Sequence, residues 1–180
     1  FVLGMGIGTL FTGPLSDAFG RKRVILIGSG LYALCALACY FAPSLEVLLA
    51  ARLLQGLAAS APRTVAIAMV RDLFSGREMA KIMSFVMMIF TIVPAVAALR
   101  GQGVIALGGW HSIFLAYILF SGLCMLWLGL RQPETLPLNK RRPLHIGDLW
   151  AGTKELLTYR IVLVSTALQT LTLATLFATL

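Results

Sequence analysis

The chain has 180 residues, of which 59% are hydrophobic and only 12% are charged, and its formal net charge is +8. A soluble globular domain carries a smaller apolar share and about twice this fraction of charged residues, so a water-soluble fold is excluded. The basic residues are scattered between apolar runs and form no stripe with aromatic residues. This pattern argues against nucleic-acid binding and favours contact with anionic lipid headgroups.

Six apolar segments occupy most of the sequence, and the middle four are long enough to cross a membrane as helices. None of the six shows the strict alternation that is typical of membrane β-strands. We therefore expect an all-α fold, a polytopic membrane helix bundle without a signal peptide. Because the first and last segments reach the two ends of the sequence, we also expect an internal fragment of a longer protein. The segments are residues 1–15, 24–42, 45–70, 82–107, 113–130 and 161–180.

Lys and Arg residues collect in alternate loops, and such loops stay on the cytoplasmic side of a membrane. The basic loops are 17–23, 71–81 and 131–160, whereas the short loops at Pro43 and at 108–112 contain neither Lys nor Arg. The alternation has no exception. We therefore predict a multi-pass protein of the bacterial inner membrane whose three basic loops are cytoplasmic.

The long polar connection between Arg131 and Tyr159 contains three prolines and the stretch LWAGTKELL, which favours a short amphipathic helix at the membrane surface. Its length and charge are typical of a linker between two bundles. We predict a transmembrane bundle over 1–130, a cytoplasmic central loop over 131–159, and the first span of a second bundle over 160–180.

Cysteine and histidine residues give no sign of a metal or cofactor site. Cys35, Cys39 and Cys124 lie inside apolar runs and form no CxxC pair. His111 and His145 have no second ligand at metal-binding spacing, which favours surface positions. We expect no metal and no cofactor.

The segment GPLSDAFGRKR over residues 13–23 resembles the signature between the second and third spans of transporters of the major facilitator superfamily. That family usually has a basic residue after the acid, where this chain has Ala18. The residues that carry the resemblance are Gly13, Leu15, Ser16, Asp17, Gly20, Arg21, Lys22 and Arg23.

Further matches extend the resemblance over nearly the whole chain, as spans two to seven of twelve. RDLF, MSFVMM and PETLP are similar to the drug-efflux branch called Bcr/CflA. The fifth span keeps Pro94 and Gly101 of the antiporter motif, but it has Ala98 and Arg100 where a proline and a small or apolar residue are expected. The fourth span resembles the motif of proton-coupled antiporters at Arg52, Gln55, Gly56, Ala58 and Ala59.

The resemblance implies a conformational latch formed by Gly13, Asp17, Gly20, Arg21 and Lys22. In the family this acid and arginine hold the two bundles together in the outward-facing state, with the acid near a helix N-terminus of the other bundle, where the helix dipole favours negative charge. The two glycines would let the backbone turn tightly and approach a neighbouring helix. The alternative is a solvated loop whose charges only set the topology.

Arg52 lies inside a predicted span and shares a helix face with Gln55 and Gly56. The resemblance implies that this arginine communicates with a protonatable acid, while the alternative is an arginine that extends to the outer headgroups. Arg63 follows on almost the same face, where it would line the inner cavity or reach the inner surface along a tilted helix. Gly56 and Ser60, four residues apart, favour close helix packing.

Proton-coupled export of small, largely apolar drugs or metabolites by alternating access is the function that the resemblance implies. None of the seven acids lies near the middle of a span, so the titrating acid must be in a missing span, and the missing C-terminal transmembrane half is a required partner. One alternative is a non-transporting remnant of a truncated gene. The other is a membrane-embedded lipid-modifying enzyme, for which the sequence offers no convergent catalytic set; we expect no enzyme.

Overall fold

A computed structural model describes residues 1–109, 111–137, 141, 164 and 168, with the backbone alone for 94, 95, 98–102 and 104–108. The chain divides into two compact units, Phe1–Pro143 and Leu144–Leu180, and all five complete helices belong to the first. In chain order the helices are α1 Val2–Phe19, α2 Arg21–Tyr40, α3 Leu45–Leu73, α4 Gly76–Gly108 and α5 Ser112–Arg131.

Five of the six predicted apolar segments are helices in the structure, which confirms the all-α prediction for the described residues. The predicted span over 160–180 lies outside the described residues, apart from Val164 and Leu168. The predicted amphipathic helix and His145 also lie outside them.

The loop predicted over residues 17–23 is much shorter in the structure. Helix α1 continues through Gly13, Pro14 and Asp17 to Phe19, and α2 begins at Arg21, so a single residue separates the two helices. Gly20 makes this turn with φ 101° and ψ 147°, a conformation that residues with a Cβ atom rarely adopt.

Three described helices are long and apolar enough to cross a membrane, namely α2, α3 and α5. Helix α3 has 29 residues and is therefore about 43 Å long, which exceeds a hydrocarbon core of about 30 Å. At least one end of α3 extends beyond the core. Helices α1 and α4 remain predicted spans.

Helix α3 is the centre of the bundle, and α1 and α2 pack along its length while making little contact with each other. The approach of α1 to α3 depends on small residues. A Cβ atom on Gly8 would lie 2.8 Å from the Leu57 carbonyl oxygen, and one on Gly4 would overlap the Leu53 carbonyl oxygen. Helices in lipid associate through such close backbone contacts. Gly56 and Ser60 face the same interface, which confirms that they are packing residues.

Two buried clusters join α2, α3 and α5. In the first, Val24 and Ile25 pack against residues of α3 that include Val65, while Cys39 and Phe114 belong to the second. A buried hydrogen bond also links α5 to α2, because the Ser121 hydroxyl donates to the carbonyl oxygen of Ser29 at 3.0 Å. These contacts fix the three helices that carry the polar residues discussed below.

Replacing Gly8 with Ala is expected to destabilise the bundle, because the new Cβ atom must push α1 away from Leu57 and Ser60. Overpacking of this kind costs about 1–3 kcal/mol. Gly13→Ala is the matched control on the same helix, since no atom of the described residues lies within 4 Å of a Cβ atom there. Thermal unfolding in detergent, followed by circular dichroism, should give a lower Tm for Gly8→Ala and an unchanged or higher Tm for Gly13→Ala. Equal Tm values would contradict the close approach.

Candidate functional site

Arg21 is a buried arginine at the start of α2, and it joins α1, α2 and α3. Its Nη1 atom lies 2.6 Å from Asp17 Oδ1, and its Nε atom donates to Asp72 Oδ2 at 3.0 Å. Nη1 also donates to the hydroxyl oxygen of Ser16, which is fully buried. A guanidinium group can satisfy several acceptors in fixed directions, so Arg21 holds the ends of three helices together.

Asp72 was not among the predicted site residues, although it makes one of the two ion pairs of Arg21. It lies in the last turn of α3, where the helix dipole disfavours an acid. An acid at such a position indicates a cationic partner. The position of Asp72 at the end of a predicted helix could therefore have predicted its ion pair. Asp17 is likewise near the C-terminal end of α1, and its side chain is 43% exposed against 25% for Asp72.

Glu134 is a second site residue that the sequence did not predict. It lies in PETLP, which was matched to the drug-efflux branch without any role for its glutamate. Its Oε1 atom accepts hydrogen bonds from the backbone N–H groups of Arg21 at 2.9 Å and Lys22 at 3.4 Å. The first backbone donors of a helix have no partner within the helix, and Gly20 offers no side chain to cap them. Glu134 therefore caps α2 from a distant part of the chain.

The segment after α5 is held against α1 and α2 by the same glutamate. Glu134 Oε1 also accepts from the backbone N–H of Leu136 at 3.2 Å, and Leu136 is buried. A Cβ atom on Gly20 would lie 2.6 Å from Glu134 Oε2, an atom at the end of a flexible side chain, so this glycine is required by its torsion angles and not by close approach. The Lys22 ammonium donates to the carbonyl oxygen of Gly129 at 2.8 Å and ties α2 to the end of α5.

Of the five predicted latch residues, four meet at the junction of α1 and α2, and Gly13 does not take part. It lies inside α1 with open space around its Cα atom. The prediction that Gly13 allows a tight turn is therefore wrong, because the helix continues through it.

Arg52 is half-buried between α3 and α5, at the opposite end of the bundle from Arg21. Its guanidinium carbon lies 4.7 Å from the centroid of the Phe114 ring and 5.9 Å from that of Tyr117. A guanidinium over two aromatic faces is stabilised by about 1–2 kcal/mol when it is partly removed from water. The sequence did not predict that these two rings contact Arg52, since aromatic residues at the start of an apolar helix have no distinctive spacing.

Gln55 is fully buried beside Arg52. Its Oε1 atom accepts a hydrogen bond from Arg52 Nη1 at 3.0 Å, whereas its Nε2 group has no partner among the described residues. A buried amide without an acceptor costs about 1–3 kcal/mol. The pair Arg52–Gln55 is therefore an incomplete polar network that can receive one more acceptor. Gly56 lies next to Gln55 but faces α1, where its Cα atom contacts the Phe1 backbone.

Arg63 is exposed, and its Nη1 atom lies 3.8 Å from the sulfur of Met5 on α1. It lines a cavity of about 470 Å³ between α1 and α3, which Thr9, Thr64 and Arg71 also line. The structure thus places Arg63 away from the Arg52–Gln55 pair. Pro94 and Gly101 lie within the backbone of α4, and the surroundings of their side-chain positions, like those of Ala98 and Arg100, are outside what the structure describes.

A comparison of the whole sequence with known protein families matches residues 1–180 to the Major Facilitator Superfamily. The chain belongs to the Major Facilitator Superfamily. Members of this superfamily are membrane-spanning transporters of small molecules and not enzymes, so the lipid-modifying enzyme is set aside.

Several curated superfamily members are similar in sequence. The chain is 43% identical over 148 residues to the uncharacterized MFS-type transporter YdgK of Bacillus subtilis, covering 81% of the chain and 37% of that protein. It is 36% identical over 146 residues to the bicyclomycin resistance protein homolog of Haemophilus influenzae, again covering 81% of the chain and 37% of the relative. It is 35% identical over 130 residues to the multidrug resistance protein MdtL of Shigella flexneri, covering 72% and 33%. The chain therefore spans about a third of the length of these relatives.

A solved superfamily structure is also similar in fold. The crystal structure of the human organic anion transporter MFSD10 (TETRAN) superposes with a TM-score of 0.68 at 25% identity, covering 82% of this chain and 36% of that one. The superfamily resemblance, the drug-efflux resemblance and the all-α bundle expected from the sequence are therefore confirmed.

Replacing Glu134 with Ala is expected to release the segment after α5 from the start of α2. The backbone N–H groups of Arg21, Lys22 and Leu136 lose their acceptor, so their hydrogen exchange should accelerate by about tenfold. Hydrogen exchange with mass spectrometry on the purified chain measures this. The matched control is Glu46→Ala, which removes an exposed acid from the first turn of α3. Unchanged exchange in Glu134→Ala would contradict the capping role.

Proposed function

We propose that this chain is part of a proton-coupled transporter that exports small, largely apolar drugs or metabolites by alternating access. The observation that carries the proposal is the incomplete polar network of Arg52 and Gln55 inside the helix bundle. Ionisable groups at membrane depth are costly and are kept where they serve a pathway for ions or substrate. Similarity to proteins named for bicyclomycin and multidrug resistance supports the direction and the class of cargo.

In this proposal a protonatable acid from another span approaches the free amide of Gln55 and the guanidinium of Arg52. The five acids in the described residues all lie near helix ends or in the segment after α5, so none can take this place. The ionised acid pairs with Arg52, and protonation removes that attraction. The change in the pairing of Arg52 would couple proton binding to substrate release.

The ion pairs of Arg21 form the proposed latch at the other end of the bundle. Asp17 is partly exposed while its partner Arg21 is buried, so its carboxylate is available to a further element. We propose that this element is a helix N-terminus of the C-terminal transmembrane half, where the dipole favours a negative charge. Lys22 and Gly20 hold the junction in place, while Pro94 and Gly101 supply the antiporter motif of the fifth span. Arg63 is proposed to line the inner cavity.

The proposed organisation is a transmembrane bundle over 1–130, a central loop over 131–159 and a further span over 160–180. The ends of α1, α3 and α5 would face the cytoplasm of a bacterium, at its inner membrane, because the adjoining segments carry Lys and Arg. The substrate must then enter from the same side as the Arg21 ion pairs. Protons and the small-molecule substrate are the partners in transport.

Replacing Arg52 with Ala in the complete transporter that carries this chain should abolish proton-dependent export. The loss should reach at least about tenfold in initial rate, since one charge-assisted interaction is worth about 1.5–3 kcal/mol. Arg52→Lys keeps the charge but not the planar group over Phe114 and Tyr117, so it should retain part of the rate. Efflux of a fluorescent drug from cells lacking their own pumps, with and without a protonophore, gives the measurement.

Arg77→Ala is the control for this experiment, because Arg77 is exposed in the first turn of α4 and makes no ion pair among the described residues. It should leave export unchanged. Full proton-dependent export by Arg52→Ala would reject the coupling role. No export by the unmodified protein would instead support a non-transporting remnant.

Single cysteines test the proposed orientation in a variant that lacks the three native ones. Pro43 and Ser75 are exposed residues of the connections before and after α3. In intact cells a membrane-impermeant maleimide should label Pro43→Cys, and it should label Ser75→Cys only after the membrane is opened. The reverse pattern would overturn the orientation.

A further inference from the structure

A long apolar groove runs between α1 and α2 on the surface of the bundle. Its volume is about 670 Å³, and its floor is formed by α3 residues that include Leu57 and Ala61. The walls are large exposed side chains such as Phe19 and Ile27, which are 55% and 61% exposed. The groove exists because α1 and α2 both pack on α3 and barely touch each other.

One end of the groove carries a charge. Arg23 lines it beside Phe19, at the end of the bundle where α1 meets α2. Arg23 is exposed and makes no ion pair or hydrogen bond within the part of the chain that the structure describes. None of the described residues that line this cavity is an acid. The groove is therefore an apolar channel with a free guanidinium at one end.

The length of the groove matches one membrane leaflet. Along α2 it extends from Arg23 to Cys35, and twelve residues of helix rise about 18 Å. Half of a hydrocarbon core of about 30 Å is about 15 Å. A lipid chain that starts from a headgroup at Arg23 would thus reach the far end of the groove.

We propose that this groove binds one anionic phospholipid of the cytoplasmic leaflet, with its phosphate on Arg23 and an acyl chain between α1 and α2. A guanidinium pairs with phosphate through two parallel hydrogen bonds, and the cytoplasmic leaflet is the one enriched in anionic lipids. The inference rests on the proposed orientation, which the cysteine labelling tests separately, and it does not require transport.

The test is native mass spectrometry of the complete transporter that carries this chain, with phosphatidylglycerol and phosphatidylcholine of equal chain length. The unmodified transporter should retain one phosphatidylglycerol in this groove in preference to phosphatidylcholine. Arg23→Ala should weaken this binding by about tenfold, since charged hydrogen bonds to the phosphate are lost. Ile27→Trp keeps Arg23 but fills the groove, and it should weaken the binding as well. Arg77→Ala removes an equal charge outside the groove and should leave the binding unchanged.

Circular dichroism first establishes that each variant is folded. Unchanged phosphatidylglycerol binding in Arg23→Ala and Ile27→Trp would overturn the proposal. An equal loss of phosphatidylglycerol binding in Arg77→Ala would also overturn the proposal. The lipid would then be attracted by the overall positive charge and not by Arg23. Equal affinity for a phosphatidylglycerol with six-carbon chains would exclude the acyl chain from the groove. If the protein forms a dimer and Ile27→Trp disrupts it, the groove is occupied by a second copy of the chain. That result would overturn the proposal of a bound lipid.

Discussion

The close approach of α1 to α3 is the contact on which the other features of the bundle depend. In a membrane the hydrophobic effect does not drive helices together, so the packing distance is set by the smallest side chains at the interface. Gly4 and Gly8 let the backbone of α1 contact that of α3, and Gly28 plays the same part for α2, where a Cβ atom would lie 2.4 Å from the Cβ of Ala61. This packing brings the start of α2 beside the end of α3, which makes the ion pair between Arg21 and Asp72 possible.

The two ends of the bundle differ in how completely their polar groups are satisfied. At one end Arg21 has acceptors on Ser16, Asp17 and Asp72. At the other end the amide of Gln55 has no acceptor within the described residues, even though the side chain is fully buried. Satisfied buried networks make a structure rigid, whereas an incomplete one leaves a defined position for another group. This contrast is the structural basis for the proposed latch at one end and the proposed coupling pair at the other.

The sequence was sufficient for the features that depend on local pattern. Apolar runs located the helices, and the four-residue spacing of Gly56 and Ser60 predicted a packing face. The loop was predicted too long because GPLSDAFG contains glycine and proline, yet the small face of α1 continues through Ser16 and keeps the segment helical as far as Phe19. Glu134 was missed because its partners are 113 and 112 positions away in the chain. Periodicity within a segment carries no information about contacts between distant segments, and the roles of the latch and coupling residues stay predictions for the same reason.

The single-residue junction at Gly20 has a mechanical consequence. Two helices that are joined by one residue have only that residue's φ and ψ angles with which to change the angle between them. Each helix extends about 27–30 Å from this elbow, so a rotation of about 10° at Gly20 would displace the far end of α1 or α2 by about 5 Å. Glu134 accepts hydrogen bonds from the first two residues of α2, directly beside this elbow. A rotation at Gly20 would therefore be amplified along the two helices, and the packing of both helices on α3 opposes it.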